Sequence, residues 1–215
     1  MKLKKIASLM LAGVMAVSML AGCNTASNGG NNGGEGEGEG QVSTSNSATI
    51  LHDAMNGAAR EMTTPAANAA LDTALKNAVD TYFQNTEYDG VLNFDKVDTV
   101  DGKMYEALVS AMSAKKSINP ELYAGANNDK VTTAVLLYAV EASVSDTYAL
   151  EKVADEIQYS VAGLSETSAN GEWNYTYTVS ASIVTKTVTS SILEGVTGGV
   201  KYIAVAVTQT PTKVV

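Results

Sequence analysis

Glu172-Trp-Asn-Tyr-Thr-Tyr-Thr-Val-Ser-Ala-Ser-Ile-Val-Thr-Lys186 alternates with a period of two. Trp173, Tyr175, Tyr177, Val179, Ala181 and Ile183 fall on one side, and Asn174, Thr176, Thr178, Ser180 and Ser182 on the other. Successive side chains of an extended chain point to opposite faces, so this pattern predicts a strand with one buried face. Ser168-Ala-Asn-Gly171 ahead of it is a turn signal. Tyr159 to Leu164 reads as the strand paired across that turn, and Val200 to Thr208 as a third strand.

Upstream the period changes to that of a helix. Ile50, Leu51, Ala54, Met55 and Ala58 form a stripe within a helix over 50–62. Thr64-Pro65 combines a capping hydroxyl with proline at a first turn, and Leu71, Leu75, Val79, Tyr82 and Phe83 carry the stripe to a stop near Gln84. Asp89-Gly90 is a turn. Asp101-Gly102 leads into a helix through Met104, Leu108, Ala111 and Met112. Asn127-Asn-Asp129 is read as the cap of a helix through Val135, Leu136, Tyr138 and Val140, and Ser145 or Asp146 as the cap of a shorter one over 147–156. Helices gathered ahead of strands predict an α+β domain, with helices packed around a small antiparallel sheet.

Composition excludes more than it selects. The chain is acidic, with formal charge −9, and Arg60 is its sole arginine. Such a chain lacks both the counter-charge and the bidentate forks that a phosphate backbone requires, so nucleic acid is not an expected partner. Cys23 is the only cysteine and His52 the only histidine. A disulfide within the chain, a multi-cysteine metal site and a multi-histidine zinc site are therefore ruled out, and any Ser-His-Asp triad must pass through His52. On its predicted helix, His52 reads as a surface or half-buried residue rather than a catalytic one.

The N-terminus has the three parts of a secretory signal: Lys2, Lys4 and Lys5, an apolar run from Ile6 to Leu20, and then small residues. The run is short for a transmembrane helix, which needs about 20 residues. Leu20-Ala21-Gly22-Cys23 resembles the lipobox of bacterial lipoproteins. That resemblance implies cleavage between Gly22 and Cys23 and a diacylglycerol on the Cys23 sulfur, with the lipid holding the protein at the outer face of the membrane. Residues 1–22 are thus expected to be the signal, 23–47 the lipidated cysteine and its tether, and 48–215 a single extracytoplasmic domain. The tether is built of Asn, Gly, Ser and alternating Glu-Gly, with too little apolar surface to order itself. About 25 such residues span ~28 Å on average. The Lys-rich start and Gly-rich tether point to a Gram-positive surface.

Three clusters could carry chemistry. Asp95, Asp98 and Asp101-Gly102, followed by Glu106, suggest a calcium loop, but an EF-hand places ligands at alternate positions and here the spacing is three. A solvated acidic loop that caps a helix accounts for the same residues. Trp173, Tyr175 and Tyr177 would make an aromatic platform for a glycan or peptide, whereas the alternation itself is what a buried strand face produces. Ser113-Ala-Lys-Lys116 and Ser168-Ala-Asn170 resemble two motifs of serine penicillin-recognising enzymes. The third motif would be Lys-Thr-Gly, but Lys186-Thr187 is followed by Val188, so the match is read as chance.

The order of elements from Ile50 to Ile183 resembles the CAP superfamily of secreted proteins. Asn56-Gly-Ala-Ala-Arg60 is similar to its first-helix Asn-x-x-x-Arg. Asp101-Gly-Lys-Met-Tyr-Glu-Ala-Leu108 is similar to its Asp-Gly-x-x-aromatic-x-x-Leu. Ala124-Gly-Ala-Asn127 falls at its Gly-Glu-Asn segment, and Ala139-Val-Glu-Ala142 on its fourth helix. Ser160-Val-Ala-Gly-Leu164, Asn170-Gly171 and Trp173-Asn-Tyr175 fall on its late strands. The resemblance implies an α-β-α sandwich. It also implies a degenerate member, because the family's two metal-binding histidines align near Val97 and Ser145.

The expected function is therefore a lipid-anchored envelope protein with a non-catalytic module that binds wall glycan, a small apolar ligand or a protein. A carboxylate-based hydrolase, with acids in general acid/base roles, and a structural surface subunit are the alternatives. No cofactor is expected, calcium being the one candidate.

Overall fold

The computed structural model describes residues 44–83, 97–119, 122, 127–189 and 197–215. The lipobox, Cys23, Asp95, the Asp89-Gly90 turn and the stop near Gln84 lie outside these residues. Within the compact unit Gly40–Val215 the elements run α1 (Thr44–Ala54), α2 (Gly57–Met62), β1 (Thr63–Pro65), α3 (Ala69–Tyr82) and β2 (Asp98–Thr99). They continue with α4 (Lys103–Ala111), β3 (Thr132–Glu141), α5 (Asp146–Ala162), β4 (Trp173–Thr189) and β5 (Thr197–Lys213). The class is α+β.

The five strands form one open sheet in the order β1-β4-β5-β3-β2. β4 and β5 pair antiparallel over their full length, from Trp173↔Lys213 to Thr189↔Thr197, and β3 pairs antiparallel on the other side of β5. β3 and β4 therefore run parallel to each other, and α5 makes the crossing between them. β1 pairs parallel with β4, so the sheet is mixed rather than wholly antiparallel.

Helices cover both faces. On the first, α1, α2 and α5 pack on Tyr175, Tyr177, Val179, Ala181 and Ile183 of β4 and on Ile203, Val205 and Val207 of β5. The α5 contribution is a helical stripe of Leu150, Val153, Ala154, Ile157 and Val161. Each large apolar side chain so buried contributes about 1.5–3 kcal/mol. On the second face, α3 and α4 pack on Val135, Leu137, Ala204 and Ala206.

The strands over 172–186 and 200–208 form as predicted, with longer bounds. The polar side of β4 is not solvent along its whole length, however. Ser180 and Ser182 are buried beneath α3, where the Ser182 hydroxyl donates to Asp72 Oδ1 at 2.6 Å.

Four expectations need correction. Val135 to Val140 lies in strand β3, not in a helix. β3 is covered on both faces, so Ala134, Val135, Leu137, Tyr138, Ala139 and Val140 are all buried and the alternation is lost. Tyr159 to Leu164 is not a strand, because α5 continues through Ala162 before Gly163 caps it. Thr64-Pro65 does not start a helix. It lies in edge strand β1, where a missing N–H is tolerated, and the Asn68 side chain caps α3 by accepting from Leu71 N–H. The helix over 50–62 is two, broken at Met55-Asn56, with Asn56 Oδ1 accepting from Ala59 N–H at 3.0 Å. A fifth concerns the start of the domain: α1 begins at Thr44 and Ser47 is fully buried, so the helical domain includes residues 44–47 of the stretch read as tether.

Candidate functional site

Asp98 is half-buried in β2, and Asp101 and Glu106 are exposed. Asp101 precedes Gly102, whose φ of 82° provides the turn into α4. Glu106 lies 3.8 Å from the Lys116 ammonium across solvent. Among the described residues, no group of three or more His, Cys, Asp or Glu side chains is arranged to hold a metal ion.

Tyr175 and Tyr177 do not form an exposed platform. Both point into the first core, their rings edge-to-face at 6.5 Å, and Trp173 packs half-buried beside them. The Tyr177 hydroxyl donates to Ser165 O at 2.7 Å and accepts from Gln209 Nε2 at 2.9 Å. Burial pushes its pKa above the usual tyrosine value, outweighing the hydrogen bond from Gln209. Gln209 is fully buried, and its amide also donates to Leu122 O at 3.0 Å and accepts from Asn128 at 2.6 Å. This network ties the chain at Leu122, Asn128 and Ser165 to the sheet. Ser168 serves its own turn, donating to Asn170 Oδ1 at 2.7 Å and accepting from Trp173 N–H at 2.9 Å.

His52 is occupied in holding helices together. Its Nε2 donates toward Thr63 O at 3.1 Å and lies 3.3 Å from Arg60 O, which fastens α1 to the junction of α2 and β1. Val97 is buried, and the Ser145 hydroxyl accepts from Tyr148 N–H to cap α5.

Sequence reasoning missed Lys201. It follows Val200 on the same side of β5 as Ile203 and Val205, and it is 5% exposed. Its ammonium pairs with Asp146 Oδ1 at 2.5 Å and donates to Val144 O. The signal was a lysine within a run of strand-forming apolar residues. A cation at a helix N-terminus opposes the helix dipole, and Asp146 in the first turn of α5 neutralises it.

Among the described residues, helices cover the second face of the sheet at one end. Asp72, in the first turn of α3, bonds Ser182, while Asp80, near its end, pairs with Lys186 at 2.7 Å. The helix thus runs from Ser182 toward Lys186, away from the opposite end of the face. There the register aligns Thr178 with Thr208, Thr208 with Thr133, Thr176 with Thr210, and Asn174 with Thr212. Thr176, Thr210, Thr212 and Asn174 are exposed, and Thr133, Thr178 and Thr208 half-buried.

No protein-family model, curated protein or solved structure matches the chain.

Proposed function

We propose that this chain is a lipid-anchored extracytoplasmic envelope protein whose α+β domain is a binding or interaction module rather than an enzyme. The observation that carries the reading is Leu20-Ala21-Gly22-Cys23 at the end of a Lys-led apolar stretch, followed by a Gly/Asn tether. In this reading Cys23 carries the lipid, the tether lifts the domain off the membrane, and the acidic domain is kept off anionic lipid by its own charge.

Two features of the domain support a binding role. The one histidine is held at Nε2 by backbone carbonyls and at Nδ1 by Asp53, 3.2 Å away, and the buried lysine is committed to Asp146 and Val144. A sheet between two helical layers agrees in class with the sandwich that the CAP resemblance implies. Two segments that carry that resemblance do not fit it, however: Ala139–Glu141 lies in strand β3 where the family has a helix, and Ser160–Ala162 lies in helix α5 where it has a strand.

The test is metabolic labelling of the full chain with a tagged fatty acid, comparing wild type with Cys23→Ser in a bacterial host. The reading requires label and membrane retention in the wild type and loss of both in the variant. An unlabelled wild type that stays with the membrane would overturn it.

A further inference from the structure

We propose that the outward side of α5 is the contact through which two copies of this chain pair about a two-fold axis. This names the partner of the interaction module above and rests on that reading. The buried stripe of α5, which includes Leu150, Val153, Ala154, Ile157 and Val161, fixes which side faces out. At about 100° per residue, Tyr148, Lys152, Asp155 and Tyr159 fall within ~60° of one another on the opposite side. Tyr148 and Lys152 are half-buried, and Asp155 is exposed. Tyr159 is 77% exposed, more than any other large apolar side chain on the described helices, where Tyr82 follows at 36%.

The order of these four side chains selects the partner. Tyr148 and Tyr159 stand equally far from a midpoint between Val153 and Ala154, and so do Lys152 and Asp155. Turned end for end, the stripe reads tyrosine, carboxylate, ammonium, tyrosine. An antiparallel second copy therefore brings Tyr148 level with the partner's Tyr159 and Lys152 level with the partner's Asp155, each pairing made twice. That is the self-complementarity an isologous two-fold contact requires. Within the chain, Lys152 Nζ lies 5.1 Å from the Tyr148 ring centroid, and Asp155 Oδ1 accepts from Gln158 Nε2 at a long 3.4 Å. Neither Lys152 nor Asp155 forms an ion pair among the described residues, and a facing copy supplies each with an opposite charge. Glu151 and Glu156 are exposed about 70° to either side of the stripe, where salt screens their repulsion. One helix pair makes a small contact, in the weak class below ~1,200 Å². Copies held by lipid on one membrane meet at a raised effective concentration, which such a contact needs.

The test is sedimentation equilibrium of the full chain in density-matched detergent over a wide concentration range. Wild type should follow a monomer–dimer equilibrium. Lys152→Asp alone and Asp155→Lys alone each set like charges face to face, and each should weaken pairing at least ~tenfold, equivalent to ~1.4 kcal/mol. The two changes together exchange the signs and should restore it. Thr73→Lys, exposed on α3, should leave it unchanged, and far-UV circular dichroism checks that each variant is folded. A wild type that stays monomeric would overturn the proposal, and one that instead binds isolated wall material would put another occupant in place of the second copy. A dimer indifferent to the single changes, or a double variant no better than they are, would also overturn it. So would tighter pairing in Asp155→Lys, which would mean that bulk repulsion between acidic chains governs association. A monomer that still carries the fatty-acid label sinks this contact alone, whereas loss of the label sinks the anchored-module reading by itself.

Discussion

Tyr177 and Gln209 face each other across β4 and β5, and the Gln209 amide donates to the Tyr177 hydroxyl at 2.9 Å within the first core. Both Gln209 donors and its acceptor are used, which is the condition under which a buried amide is tolerated. Gln209→Leu keeps the volume but strands the Leu122 carbonyl and the Asn128 amide. It should cost about 2–3 kcal/mol in urea unfolding, against about 1 kcal/mol for Tyr177→Phe. The double variant should lose less than the sum, because the two residues share one bond. Strict additivity would show that the pair is not coupled.

The Lys201–Asp146 pair should respond asymmetrically. Asp146→Ala leaves a lysine ammonium that is 5% exposed beside the positive end of α5, and should cost about 3 kcal/mol. Lys201→Met leaves only a carboxylate in the first turn of a helix, where the dipole favours it, and whose side chain is 29% exposed. That change should be near neutral. Thermal unfolding of the two variants side by side gives the comparison, and a larger loss for Lys201→Met would refute the account.

These two sites show what the sequence made legible. β4 was readable because Trp173, Tyr175, Tyr177, Val179, Ala181 and Ile183 alternate with polar residues, whereas β5, buried on both faces from Ile203 to Val207, carries no such alternation and shows only a run of strand-forming residues. β3 was not readable, because burial on both faces replaces alternation with a continuous apolar run that suits a helix equally well. Ser145, Asn56 and Asn68 cap helices through local bonds, yet only Ser145 was read as a cap, since proline at position 65 drew the α3 start forward. Lys201, Gln209 and the threonine rows depend on register between strands far apart in the chain. Single positions show them only as oddities: a lysine and a glutamine among apolar alternates.

Gly199 should tolerate no side chain. A Cβ there would lie 2.5 Å from the Lys186 carbonyl oxygen and 2.9 Å from the Ala142 Cβ. The Gly199 carbonyl accepts from Ala142 N–H at 3.1 Å, so the turn after β3 sits directly on this residue. Gly199→Ala must push that turn away or distort the β4–β5 pairing, at about 1–3 kcal/mol. Gly57→Ala, where nothing lies within 4 Å of the added carbon, should be neutral or slightly stabilising. Denaturant midpoints of the two variants test the contrast.

Alkaline pH should weaken the fold through its tyrosines. Burial pushes the Tyr138 hydroxyl up to about 12, with Glu156 and then Tyr105 adding to the shift, and burial also raises Tyr105 and Tyr177. The folded pKa lies above the unfolded value of about 10, so the unfolded chain releases its proton first as pH rises. Stability from Tyr138 is therefore fully present below pH ~10 and lost between about 10 and 12, on the order of 2 kcal/mol. Tyr138→Phe cannot ionise and should flatten that limb. The check is urea unfolding across this pH range for wild type and variant, with ultraviolet titration of the tyrosines alongside. Ionisation of Tyr138 near pH 10 in the folded protein would remove the basis for the effect.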